Sequence, residues 1–299
     1  MHRKTLLGLA GILGIWITAG LALPFVNVLT MFTPTQLMAF RGFLTATMAF
    51  TLLRGRIGRL DTYTYLLAVT LPFATLGLFQ GIRHWGAGPT VIIITATPIV
   101  NVLIGLRIGR RLSRASFVGL VLMLGGVVMA RWGGHFNWAG FAWSVFGTIM
   151  NGILYEFFPR ALPVHLKDSW DEKIRKNLAK CFCASVGMGV VGFLGSFGES
   201  WSPIMNSRVV FNILGFAFVG GFLYWLGNLL AFENLPTNEA SVLAQGETPA
   251  VLLGAWVVLG EHLTFVQLLG VSIALYGAWY LSQWLATHPE ASAPAEAGA

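Results

Sequence analysis

Ten apolar runs follow one another from Leu6 to Ala286, with short polar segments between them. Each is close to the roughly twenty residues that a helix needs to cross hydrocarbon. They cover Leu6–Val28, Thr35–Leu53, Tyr63–Ile82, Pro89–Leu106 and Ala115–Ala130, then Trp138–Phe158, Leu178–Phe197, Val209–Phe232, Ala240–Leu259 and Thr264–Ala286. A chain of 299 residues with 56% apolar and 10% charged residues departs from soluble domains, which hold roughly 45–50% and 25%. One soluble core cannot hide that much apolar surface, and lipid can. The expected fold class is an all-α integral membrane protein. The His2-Arg3-Lys4 start resembles a signal peptide, but the run behind it is long enough to span and lacks a small-residue cleavage site. It reads as a retained first helix.

Basic residues set the sidedness. The N-terminus and the second, fourth and sixth loops, with the span edge at Lys180, hold fifteen Lys and Arg, the opposite loops hold Arg83, Arg131 and Arg208, and Arg41 alone falls deep inside a span. Positive loops stay in the cytoplasm, so both termini are expected there. The net charge of +7 is explained by these loops and calls for no nucleic acid partner.

The chain also repeats itself. Pro98, Gly109, Gly119 and Gly126 recur 151 residues later as Pro249, Gly260, Gly270 and Gly277, and Thr97 and Leu112 recur as Thr248 and Leu263. Charge does not recur, since Arg110-Arg111 becomes Glu261-His262. The same unit is therefore expected twice in opposite orientations, an arrangement that secondary transporters use around a shared midplane site. The expected organisation is a first five-helix repeat over residues 1–137 and a second over 138–286. A cytoplasmic linker at 160–177 with some amphipathic helix, and a disordered cytoplasmic tail at 287–299, complete the chain.

Polar side chains inside the spans are costly in lipid unless they face a partner or water. In the fourth span Thr90, Thr97 and Asn101 fall on one helical face, and Ser241, Gln245 and Thr248 do so in the ninth. The sixth span carries Ser144, Thr148, Asn151 and Tyr155, the first Trp16, Gly20 and Asn27, the eighth Tyr224 and Asn228, and the third Gln80. These helices are expected to line a central cavity, with spans five and ten as supports. Any one stripe could equally serve helix–helix hydrogen bonding. Pro98 and Pro249 each remove a mid-helix donor and free a carbonyl, which makes them candidate hinges. Arg41 and Glu247 are the candidate charge or proton sites, Arg41 for a substrate carboxylate or for structure, Glu247 for a proton or an amine.

Other features carry less chemistry. Gly187-Met-Gly-Val-Val-Gly192 matches the dinucleotide spacing, but it lies inside an apolar helix, where close helix packing is the expected use. Cys181 and Cys183 are too close in sequence for a metal site or a structural disulfide and read as buried thiols. All six histidines lie in loops or termini. Paired carboxylates, a P-loop and a nucleophile elbow are missing from the sequence. An enzyme is not expected, and no cofactor or metal is implied.

The run Leu235-Pro-Thr-Asn-Glu-Ala-Ser-Val, then Thr248-Pro249, Gly260-Glu261, Gly270 and Gly277, resembles the second-repeat signature of EamA-type members of the drug/metabolite transporter (DMT) superfamily. Pro98, Gly109, Gly119 and Gly126 give the first repeat the same character, with Trp16 and Arg41 in accustomed positions. The chain departs from the pattern at Arg110, where an acidic residue is usual. Within the superfamily it looks most like the YddG group of exporters for aromatic and neutral amino acids. That resemblance implies a multi-pass protein of the bacterial inner membrane with ten helices around a central cavity. It also implies alternating access without ATP and a small-molecule substrate. A cationic-drug or metabolite exporter is the rival of the same class, and a membrane enzyme or channel the rival of another.

Overall fold

The computed structural model describes residues 2–22, 26, 30–107, 114–131, 136–157, 160–162, 169–201, 207–234, 247–260 and 264–287. Among them, helices fall in every one of the ten expected spans. The first three are α1 (His2–Ala22), α2 (Pro34–Leu52) and α3 (Thr62–Trp85). The fourth span is split into α4 (Ala87–Ile94) and α5 (Thr97–Arg107), followed by α6 (Arg114–Arg131) and α7 (Trp138–Phe157). Then come α8 (Trp170–Gly195), α9 (Ser207–Ala217), a π-helical turn (Phe218–Leu223) and α10 (Tyr224–Asn234). α11 (Glu247–Leu259) and α12 (Phe265–Thr287) complete the order. The stretches Thr62–Trp85, Asp171–Gly195 and Val209–Asn228 are each long and apolar enough to cross a membrane, and Leu7–Ala22 and Phe265–Gly277 are shorter apolar helical stretches.

Local chemistry fixes the helix ends. Thr33 and Gln36 form a reciprocal capping box at α2, with Pro34 in the first turn, where its missing donor costs nothing. Thr264 and Gln267 repeat the same exchange at α12. Asp61 caps α3 by accepting from the Thr64 amide at 2.8 Å and hydroxyl at 2.6 Å, and its second oxygen accepts from the Leu162 amide at 2.7 Å. Burial pushes the Asp61 carboxyl up. The hydrogen bonds from Thr64 and Leu162, with Lys180 nearby, outweigh burial and hold it below the ordinary carboxylate value. The expected linker is shorter than its composition implies, because Ser169 caps α8 and residues from Trp170 onward already belong to that helix.

Glycines set how closely the helices approach. Gly42 of α2 lies against Gly189 of α8, and Gly77 of α3 against Gly147 of α7. Gly11 of α1 meets Gly227 of α10, and Gly126 of α6 meets Gly270 and Ala274 of α12. Without a side chain at these points the backbones approach to where dispersion and weak polar contacts become effective. Gly187, Gly189 and Gly192 are all spent this way, against Ala68, Phe43 and Ala39.

The packing partners obey a rule. With the spans numbered one to ten, spans one and eight pack together, as do six and three. Spans one and nine pack, as do six and four, and spans two and eight pack, as do seven and three. Spans two and seven, four and nine, and five and ten pack against their own counterparts. Adding five to each of these spans returns the same set, whereas the contacts of spans two and three, three and four, and four and five have no counterpart of similar extent among the described residues. α6 and α12 lie along each other and touch the remaining helices little.

Apolar side chains cover the outside. Leu9, Leu13, Ile17 and Leu21 recur every fourth residue of α1 and are 40–60% exposed. In water such a stripe would be a liability, and in lipid it is the solvated face. Hydroxyls within the spans return to their own helix, as Thr18 does to the Gly14 carbonyl at 2.7 Å and Thr70 to that of Leu66 at 2.8 Å.

Candidate functional site

The fourth span breaks between Ile94 and Thr97. The Ala96 amide bonds the Ile93 carbonyl at 3.0 Å and the Ile99 amide bonds that of Ala96 at 2.9 Å, so the chain tightens to three-residue closures there. Pro98 then sits second in α5, and Pro249 third in α11. Pro98 therefore opens a half-helix instead of interrupting one, which corrects the mid-helix expectation for that proline, while the residues before Glu247 lie outside the described ones. In a first turn the lost donor has no partner in any case. The carbonyls near the break find side chains. Thr97 Oγ1 donates to the Ile94 oxygen at 2.7 Å, and Thr148 Oγ1 donates to the Ile93 oxygen at 3.2 Å and the Ser144 oxygen at 2.8 Å.

A cavity of about 100 Å³ opens at this break. From the first half Arg41, Thr75, Thr95 and Thr97 reach it, and from the second Asn151, Tyr224, Glu247 and Thr248. Leu71, Leu78, Val91 and Ile94 supply an apolar wall, and the small residues Ala19, Ala22, Ala74 and Gly220 leave the space. Thr95 and Thr248 join the halves through a hydroxyl pair at 2.8 Å, and Tyr224 Oη donates to Glu247 Oε2 at 3.0 Å. The Arg41 guanidinium carbon stands 5.8 Å from the Phe79 ring centre and 6.0 Å from that of Tyr224. Its Nε is buried and has no hydrogen-bond partner among the described residues. The space is large enough to hold several waters among both polar and apolar groups.

At one end of the bundle the mouths of α2 and α8 are tied together. Thr33 Oγ1 donates to Glu199 Oε2 at 2.6 Å, and Gln36 Nε2 donates to the Ser200 carbonyl at 3.0 Å. Arg83 reaches the Thr30 carbonyl at 2.8 Å beside them.

Six of the residues singled out from sequence meet in this cavity: Arg41, Thr97, Asn151, Tyr224, Glu247 and Thr248. Trp16 stands behind Tyr224, packed with Ile12, Ile15 and Ala231. Thr148 braces the broken helix, and Asn228 bonds the Tyr224 carbonyl at 2.9 Å just after the π turn. Gln80 is half-buried in α3, away from the cavity lining. Asn27, Ser241 and Gln245 lie outside the described residues, as do 163–168 of the linker and 288–299 of the tail. Asn101, Tyr155, Pro98 and Pro249 are described in their helical backbone. The fourth-span stripe does not lie on one face, because the break separates Thr90 from Thr97. Thr90 instead stands against Gly81, next to Ser144. Thr75, Thr95 and the Gly220-Gly221 turn were not singled out. The adjacent glycines of that turn are the one sequence signal that could have marked it.

Cys181 and Cys183 are free and buried, and no cluster of metal-binding side chains occurs among the described residues.

Helices with lipid-exposed apolar faces around a small cavity, polar on one side and apolar on the other, define a multi-pass membrane protein built to hold a small molecule. Residues 173–283, from α8 to α12, match the EamA-like transporter family. Over that stretch the chain is similar to a family of transporters and not to an enzyme. A solved structure described only as "Crystal structure of protein" aligns with a TM-score of 0.62 at 15% identity. The alignment covers 94% of this chain and 98% of that one, so the two share a fold along their length. Comparison with curated proteins returned no match.

Proposed function

We propose that the protein exports amino acids, aromatic and other neutral ones, across the bacterial inner membrane by alternating access between two inverted five-helix repeats. One observation carries the reading. A cavity lies where the break in the fourth span meets α11, and both halves of the chain line it with neutral polar groups, one cation, one carboxylate and an apolar wall. A zwitterion with an apolar side chain needs that combination, and a sugar nucleotide would need more cations. The packing of spans one with eight and nine, and two with eight, recurs five spans on as six with three and four, and seven with three, which supports the repeat. The excess of Lys and Arg in alternate loops supports its inversion.

The position of Glu247 in the same cavity favours a second reading, an exporter of organic cations. Purified protein in liposomes, given a panel of labelled amino acids and monocationic drugs, separates the two. Counterflow of phenylalanine, leucine or methionine supports the first, and counterflow of cations alone supports the second.

A further inference from the structure

We propose that Arg41 is the receptor for a substrate carboxylate, with the Tyr224–Glu247 pair taking the cationic end of the same molecule. The proposal rests on the transport reading above and assigns its recognition chemistry.

The geometry of Arg41 is unusual for a structural arginine. The residue stands on α2 inside a membrane span, at the cavity edge, with its Nε buried and without an acceptor among the described residues. An arginine kept for packing alone is expected to fork onto a carboxylate or backbone carbonyls, because an unsatisfied cationic donor in hydrocarbon is costly. Here the guanidinium rests near two ring faces, at 5.8 and 6.0 Å, the outer limit of cation–π attraction. Those contacts are weak and leave the buried Nε in need of an acceptor, which a carboxylate at the cavity edge would supply.

The neighbouring groups favour a ligand with both charges. Tyr224 presents its ring to Arg41 and its hydroxyl to Glu247, so cation and carboxylate are held on two sides of one aromatic plate. Gly221 of the π turn lies against the Arg41 side chain, where a Cβ would come within 3.4 Å of Cγ. Gly220, its neighbour, opens to the cavity. The π turn thus brings the second half's backbone up to the arginine without a side chain in the way. The apolar wall of Leu71, Leu78, Val91 and Ile94 lies beside these groups.

The test is equilibrium binding to the purified full-length protein in detergent. Four ligands share one ring and differ at the ends: phenylalanine, phenylalaninamide, phenethylamine and 3-phenylpropionate. Wild type is expected to prefer phenylalanine over its amide by about tenfold or more, the worth of one charged hydrogen bond. Arg41→Gln should abolish that preference and the binding of 3-phenylpropionate while leaving the amide within about threefold of wild type. Arg41→Lys keeps the charge and loses the fork, so it should shrink the preference. This second variant reads the same difference if the glutamine variant is not recovered folded.

A preference that survives in both variants overturns the Arg41 assignment and leaves the amino acid reading standing. Binding of 3-phenylpropionate but not phenylalanine, lost on Arg41→Gln, does the reverse. If wild type binds neither carboxylate, both fall.

Discussion

The hydroxyls of Thr95 and Thr248, which come from opposite halves of the chain, meet at 2.8 Å where two half-helices begin or end. Each hydroxyl has one proton, and Thr95 Oγ1 also lies 2.9 Å from the Val91 carbonyl, which can only accept. The Thr95 proton goes to Val91, so Thr248 is the donor of the pair. The 151-residue offset carries Thr97 onto Thr248 but Thr95 onto Gly246, which has no hydroxyl. The link therefore has no repeat-related twin.

Thr95→Val should cost more than Thr248→Val. It strands a buried donor, at about 1–3 kcal/mol, whereas losing the donor itself forfeits about 1 kcal/mol. Thermal unfolding of both variants and the double variant checks this. Strict additivity would mean that the hydroxyls do not interact.

Pro98→Ala should barely change stability, because the roughly 3 kcal/mol penalty of an interior proline does not apply in a first turn. It restores an amide that can bond the Ile94 carbonyl, now taken by Thr97. α4 and α5 could then join, drawing Thr95 away from Thr248. Transport into liposomes is expected to slow at unchanged unfolding temperature. Unaltered turnover would leave the proline without a mechanical role.

Asp61 ties the start of α3 to Leu162, and its carboxyl is held below the ordinary range. A depressed acid stabilises the fold above the unfolded value of about 3.9. That stabilisation is lost as pH falls through the lower folded value. Asp61→Asn keeps a capping side chain and should flatten the loss of stability between neutral pH and pH about 3. Asp61→Ala should cost about 1 kcal/mol at neutral pH. Unfolding in detergent across that range measures both.

Sidedness can be tested on single cysteines placed at Ser113, Ser169 and Ser202 in a variant lacking Cys181 and Cys183. The first two should react with impermeant thiol reagents only from the cytoplasm, and the third only from outside. Labelling of all three from one side contradicts the charge count.

The spans were legible because lipid imposes a length and an apolar composition that few other environments demand. Arg41 and Glu247 were legible because a charge inside such a span stands out. The break was not, because a proline looks the same in sequence whether it interrupts a helix or starts one. Angular spacing assumes an unbroken helix, so it grouped Thr90 with Thr97 and passed over Thr95, which reaches the cavity only after the chain has turned. Thr148 and Asn228 were expected to line the cavity, and their hydroxyl and amide donate to the protein itself. Their acceptors are backbone carbonyls, which residue type does not reveal.

The π turn at Phe218–Leu223 behaves as one surplus residue in an otherwise regular span. Each residue of an α-helix advances the side chain by about 100°, so the surplus resets the phase of everything after it. Tyr224 faces Glu247 because of that reset. Deleting either Gly220 or Gly221 would leave the composition of the span almost untouched while turning its last eleven residues to new neighbours. The identity of the ligand-facing wall is thus held by a count of residues as much as by their kind, and a one-codon deletion could retune it in a single step.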